Sequence, residues 1–430
     1  MLRMRVLSGA TLVAIVLSMA GCTSEPSPPS ASVGEVKIGV LAPTSGASRA
    51  AGIQAQRGAD LAAALVNGEA GPTPLLGTGG LTGDGGATFR IVKADTRGVP
   101  EAGAAAAAKL VEQDKVVGLV GAFDTEVTRD ASQRTERLRV PFVNGDSSAD
   151  FLTERGNDWF FRTGPTDRMF GEAFFSFLGR IAGRGQRVAV LYSNDQRGNV
   201  LAGLVQDLAA EGGFSMPAGS KVAYDGKDDD AVGRVQQVRA AQPDAVFVAA
   251  STPADATALT KAFGQARYAP KGIFSFGPGF LAADAYGAAG ADAEGLFAPA
   301  AWSREIAGRN QAAKQVMDLY EQQFGQPMTQ VAAGSFTAVL VLAEAVNRAG
   351  SADPQRIRAA LLNMDVPGQE LIMPWSGVRF DTAHQNAAAA GVVEQRLSGQ
   401  FRVVFPDELQ KDDKEPAAVW PLSDLRRGGT

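Results

Sequence analysis

Thiol and imidazole are nearly absent from this chain: its 430 residues hold one cysteine, Cys22, and one histidine, His384. A single thiol excludes an intrachain disulfide and a cysteine-based zinc site, and a single imidazole excludes the paired-histidine helix of a metalloprotease. A Ser-His-Asp triad would have to use His384. That residue lies in the polar stretch 381–386, where a solvated turn is expected, and no G-x-S-x-G elbow precedes it. An enzyme would therefore have to work through carboxylates alone. Positive charge is short as well, with 41 Lys and Arg against 46 Asp and Glu, which makes nucleic acid a poor partner. The acidic run Asp228-Asp229-Asp230 lacks the spacing of a calcium loop and reads as the capped start of a helix. No metal and no cofactor are expected.

What is present begins with a leader. Met1–Arg5 is basic, Val6–Ala20 is apolar or small, and Ala20-Gly21 stand directly before Cys22, the layout of a secretory signal. A lone cysteine in that position resembles the bacterial lipobox, whose cysteine becomes the acylated first residue of the mature chain. Met19 stands where that motif usually has Leu. Thr23–Gly34 is rich in Pro and Ser and reads as a solvated tether, so the body is expected outside the cell, anchored to the membrane through lipid on Cys22.

The body opens on Val36–Gly46, V-K-I-G-V-L-A-P-T-S-G, an apolar run stopped at Pro43 and followed by a helical pattern from Gln54 to Leu65. Buried strand, small-residue loop and helix make the first half of a βαβ unit, and in such sheets ligands sit beyond the carboxyl ends of the strands. The pattern recurs: Thr88–Ala94 ends at Asp95-Thr96, Lys115–Val120 runs into 121–128, and Arg139–Val143 into 144–148. Each loop places hydroxyl side chains where they can cap the next helix or hold an anion. The breaker-rich stretch 67–87 reads as a surface loop. After a helix over 167–181 a second series follows, with strands over 187–192, 219–224, 244–249 and 272–276, hence a second lobe of similar build. Helices are expected over 310–324 and 330–349, late strands over 375–381 and 399–405, and a charged tail over 406–430 that frays.

Taken in order, I-G-V-L-A-P-T-S-G from Ile38, A-A-A-A-K-L-V-x-x-D-K-V-V-G-L-V-G from Ala105, V-P-F-V at Val140, F-F-R-T at Phe160, R-V-A-V-L-Y at Arg187, P-D-A-V-F-V at Pro243, A-E-G-L at Ala293 and G-V-R-F-D at Gly377 resemble the substrate-binding proteins of ABC importers. The likeness is to the type I periplasmic binding fold and its branched-chain amino acid class. The resemblance implies an α/β protein of two doubly wound Rossmann-like lobes joined by three crossovers, near Arg162, near Phe297 and over 366–377. The layout it implies is a signal peptide over 1–21, a lipidated tether over 22–35, lobe 1 from 36–161 with 297–365, lobe 2 from 162–296 with 366–405, and the tail. The lobes close on a small solute by hinge motion, and the closed monomer docks on permease subunits.

The resemblance also carries a site. The family's ligand carboxylate is held by first-lobe hydroxyls and amides, which match Ser45, Thr125, Thr128, Ser147 and Ser148 here. In the second lobe the chain departs from the pattern: Arg197 stands where the family has Tyr, Gly279 where it has the Glu that pairs with the ligand ammonium, and Phe336 where it has another Tyr. Either Asp124, Asp146 or Asp195 replaces that Glu, or the ligand is not an α-amino acid. Arg197 would suit a second carboxylate or an amide. The reading is a solute-binding lipoprotein of an importer that takes an amino acid, amide or related carboxylate unchanged; a ligand-sensing receptor lobe without a transporter is the alternative.

Overall fold

The computed structural model describes residues 34–69, 75, 77–281, 283–308, 310–409 and 418–425; the leader, Cys22 and the tether as far as 33 lie outside them, and Glu35, placed in the tether by the sequence, already pairs in the first strand. A five-stranded sheet, all parallel, is built from β1 (Glu35–Ala42), β2 (Thr88–Asp95), β3 (Gly118–Val120), β4 (Phe142–Asn144) and β5 (Phe160–Arg162), in the order β2-β1-β3-β4-β5. A seven-stranded sheet holds β6 (Val188–Ser193), β7 (Lys221–Tyr224), β8 (Ala245–Ala249), β9 (Gly272–Phe276) and β10 (Phe297–Ala300), all parallel. A two-residue ladder, β11 (Val366–Pro367) with β12 (Gly377–Val378), comes next in the chain. Then β13 (Val392–Leu397) and β14 (Gln400–Phe405) add an antiparallel edge to the second sheet, whose order is β14-β13-β10-β9-β8-β6-β7.

Helices pack on both faces. On the first sheet these are α1 (Arg49–Val66), α2 (Pro100–Glu112) and α3 (Thr125–Leu138). On the second they are α4 (Asp167–Ala182), α5 (Gln196–Gly212), α6 (Asp228–Ala240), α7 (Pro253–Gln265) and α8 (Ala283–Ala289). The chain then makes α9 (Arg304–Ala307), α10 (Gln311–Phe324), α11 (Gln330–Ala349) and α12 (Pro354–Leu362). Strands such as β8 and β9 are buried at every position, as central strands covered on both faces must be. The second core is a ladder of rings: Phe247 stacks on Phe274 at 4.9 Å, Phe274 on Phe297 at 4.9 Å, and Phe174 meets Phe274 edge-on at 5.3 Å. α11 is capped by Thr329, whose hydroxyl accepts from the Ala332 amide, and ends at Gly350 with φ 54°. It packs along α1 as the centre of the first lobe.

Four expectations need correction. The third crossover does not run over 366–377, which closes on itself as the β11–β12 ladder; the chain passes Arg162 at 384–386 and rejoins the second sheet only at β13. Phe297–Ala300 pairs in the second sheet, so the strand belongs to lobe 2 and the chain crosses after it, not at 297. His384 is not in a solvated turn: it is 6% exposed, stacks on Phe161 at 4.5 Å and shares a hydrogen bond of 3.2 Å with the Phe160 carbonyl through Nδ1. Burial first, and Arg358 second, push its pKa below the ordinary imidazole value, against the opposing pull of that carbonyl. The tail does not fray over 418–425. Trp420 packs on Phe297 and Leu422 is buried in the second core, because indole and leucyl surface against the first residues of β9 and β10 gains more from burial than the chain loses in freedom.

Two of the crossovers are tied into one unit. Arg162 at the end of β5 is fully buried; its guanidinium donates to the carbonyls of Ser147 (3.2 Å) and Ala149 (2.6 Å), to Gln385 Oε1 (2.6 Å) and to Thr153 Oγ1 (2.9 Å). Its amide donates to the His384 carbonyl, and the Asn386 amide to its own carbonyl. Asn386 Nδ2 reaches the carbonyls of Thr163 and Gly377. The first crossover and the returning chain at 384–386 therefore lie side by side as hydrogen-bonded backbone.

Candidate functional site

The strands of the first sheet end in loops that α11 leans against, and opposite them stand residues that follow β9 and open α4. Between the two sheets lies a cavity of about 20 Å³, room for one water molecule. The first lobe lines it with Phe123, Gly145, Asp146, Gln330, Val331 and Gly334, the second with Phe170 and Leu281, the connecting segments with Pro165 and Ala301, and the stretch between β11 and β12 with Met373. A larger solute enters only when the sheets part. Gln330 at the start of α11 accepts from the Ala301 amide at 2.7 Å, which ties the second crossover to the first lobe.

Of the five hydroxyls that the sequence singles out, four are committed to the protein itself. Ser45 Oγ donates to Asp95 Oδ2 at 2.6 Å. Ser147 Oγ donates to the Phe123 carbonyl at 2.7 Å, so the proton of its 2.8 Å contact with Thr128 comes from Thr128. Both side chains are buried, beneath the loops rather than in the cavity. Ser148 Oγ donates to Asp167 Oδ1 at 2.7 Å, and the other oxygen of Asp167 takes Arg197 as its ion-pair partner. Thr125 opens α3, half-buried. Phe336 is fully buried in the core. It follows Gly334 by two residues, about 200° round the helix from it, so it faces away from the cavity.

The acidic residues divide. Asp124 accepts from Ser48 Oγ at 2.8 Å through Oδ1, while its Oδ2 is covered and has no partner among the described residues; burial raises its pKa and the Ser48 bond only partly offsets this. It does not line the cavity. Asp195 is spent as the cap of α5, accepting from the Gly198 amide at 2.7 Å and from Ser251 Oγ at 2.7 Å. Asp146 lines the cavity, and burial alone pushes its carboxyl up to about 7. Gly279 admits no substitute for the family's Glu. A Cβ there would stand 2.4 Å from the Thr252 carbonyl oxygen and 2.9 Å from that of Ala250, to which the Gly279 amide already donates. Among the described residues no group of three metal-ligating side chains is found.

The apolar lining carried almost no signal in the sequence. Phe123 falls in a loop already marked as functional, but Phe170, Leu281, Val331 and Met373 look like any core residue until the chain is folded.

Comparison with known proteins agrees with this architecture. A leucine-binding protein of Thermotoga maritima superposes with a TM-score of 0.69 at 22% identity, covering 86% of this chain and 97% of that one. A solute-binding protein of an R. palustris ABC transporter, solved in complex with benzoate, gives 0.67 at 20% identity and covers 86% of this chain and 95% of its own. Leu/Ile/Val-binding protein homolog 7 of Brucella abortus (strain 2308) is 24% identical over 403 residues, 91% of this chain and 96% of that protein. The periplasmic binding protein family model matches residues 35–400, and the chain belongs to that family.

Proposed function

We propose that this chain is the solute-binding lipoprotein of an ABC importer: a signal peptide directs it out of the cytoplasm, lipid on Cys22 holds it at the membrane, and its two lobes close on a small solute and present it to permease subunits. The observation that carries the reading is the cavity at the carboxyl ends of the first sheet's strands, lined from both lobes and flanked by connecting segments that can act as a hinge. The hinge segments are 163–166, 301–303 and 379–391, and the body works as a monomer. Proteins of the same build include a leucine-binding protein and one solved in complex with benzoate, which supports a small organic ligand that leaves unaltered.

The test is thermal. A cleft ligand at 100 times its dissociation constant adds about 2.7 kcal/mol, a shift of several degrees at about 2–4 °C per kcal/mol. A panel of amino acids, amines, amides and aromatic acids is expected to contain a hit that mass spectrometry recovers unchanged. A silent panel, or a converted compound, would refute the assignment. Separately, Cys22→Ser is expected to move the protein from membranes to the soluble fraction, and a variant that stays membrane-bound would refute the anchor.

A further inference from the structure

We propose that Asp146 is the ammonium-binding residue of this cleft, so that the first lobe grips its solute by a protonated amine while the second lobe supplies apolar cover. The inference rests on the solute-binding reading above and names the ligand class. It reverses the polarity expected of the first lobe, whose loops the sequence suggests as a carboxylate cradle.

The first ground is what the first lobe has left to offer. Ser45 gives its proton to Asp95, Ser147 to the Phe123 carbonyl, Ser148 to Asp167 and Thr128 to Ser147. The nearby guanidiniums are also committed, Arg197 to Asp167 and Arg162 to the Ser147 and Ala149 carbonyls. An anion entering the cavity would find these donors taken.

The second ground is how Asp146 is held. A Cβ on Gly145 would stand 2.3 Å from the Gly334 carbonyl oxygen, so the loop is clamped backbone to backbone on α11. A Cβ on Gly334 would stand 2.7 Å from Asp146 Oδ1. The carboxyl thus lies flat on the helix where only glycine leaves room, and its free edge borders the cavity. Among the described residues no cation pairs with it and no hydrogen-bond donor to it is found. A carboxylate placed in a nearly closed space without a donor is matched by a ligand that brings one.

The third ground lies across the cavity. Gly279, where the resemblance implies a carboxylate, cannot carry a side chain, and the second lobe offers Leu281 and Phe170 instead. With Phe123, Val331 and Met373 these make a largely hydrocarbon lining around one acidic group, with the neutral amide of Gln330 as its other polar side chain. The ligand class that satisfies both is a small amine with an aliphatic or aromatic body and no α-carboxylate, since a second carboxylate would stand against Asp146 with no free cation to neutralise it.

The test uses purified full-length protein and calorimetry with matched triplets on one skeleton: isopentylamine, isovalerate and leucine, and phenethylamine, 3-phenylpropionate and phenylalanine. In at least one triplet the amine is expected to bind at least tenfold tighter than the amino acid, and the acid not at all. Asp146→Asn, nearly the same shape, is expected to weaken the amine at least thirtyfold while melting at or above the temperature of the parent. A triplet in which the acid or the amino acid outbinds the amine overturns the proposal and leaves solute binding standing, as does an Asp146→Asn variant whose amine affinity stays within threefold. Silence of both triplets together with the wider solute panel overturns both readings.

Discussion

A buried arginine is the side chain on which the hinge depends. Arg162 is the largest side chain buried almost completely, and burial draws its pKa down to about 10, partly opposed by Asp150 and Asp167. It stays charged at neutral pH because its donors are matched by carbonyls, an amide and a hydroxyl. Arg162→Leu would leave those acceptors buried without donors and take the buried counter-charge from Asp150 and Asp167, a loss of the size seen when one partner of a buried pair is removed. The expected destabilisation is about 3–5 kcal/mol, read as a lower urea midpoint in equilibrium unfolding. Nothing in the sequence marks this residue, since Gln385 reaches it from 223 positions away; the motif F-F-R-T placed a crossover there but not a network. The same distance effect hid the burial of His384.

Two carboxyls, Asp146 half-buried at the cavity and Glu394 buried, give the protein a pH signature. Burial raises both Asp146 and Glu394 to about 7; in Glu394 the Ser303 bond opposes the shift and Oε1 has no partner among the described residues. Unfolded, such groups titrate near 4. Between pH 4 and pH 7 the folded chain therefore holds protons that the unfolded chain has released, and these two groups cost stability progressively as pH rises across that window. Asp146→Asn removes one of them. Its advantage over the parent, measured by urea titration, is expected to be absent near pH 4 and to grow towards pH 7; a constant difference would contradict the burial.

At the scale of elements, glycine in a helix can mean opposite things. Gly58 lies where α1 meets α11, and a Cβ there would stand 2.1 Å from the Ala332 carbonyl oxygen. Gly203 lies within α5 with nothing within 4 Å of the same position. Helix propensity alone favours alanine at both by about 1 kcal/mol. Gly203→Ala is expected to gain up to that amount, and Gly58→Ala to lose about 1–3 kcal/mol by prising the helices apart, which thermal melts of the two variants would separate. Most elements are legible because central parallel strands are apolar throughout: the second-lobe series was found to within about two residues, as was α11. β13 escaped because it carries Glu394 and Gln395 in mid-strand. Gln395 is tolerated there because it bonds the Gly295 and Val419 carbonyls, partners supplied only by the fold.

For the whole molecule the question is how a cavity of about 20 Å³ serves a solute several times larger. The crossovers are knit by Arg162, Asn386 and the Gln330–Ala301 bond, so parting of the lobes has to pivot there and open the far rim, where Leu281 faces the first lobe. The sequence made the two-lobed plan legible through its strand order, whereas the apolar rim depends on which side chains meet once the lobes close. Leu281→Trp tests the motion directly. Indole at this rim is solvated while the lobes are apart and harms no core, but it cannot be accommodated when they meet. Apparent affinity falls in proportion to the closed fraction, so the variant is expected to bind any cleft ligand at least tenfold more weakly, about 1.4 kcal/mol, with an unchanged melting temperature in its absence. By small-angle scattering the parent is expected to contract on saturation with solute and the variant to keep its open radius. Equal contraction of both would show that Leu281 is no part of the closing surface and that the lobes meet elsewhere.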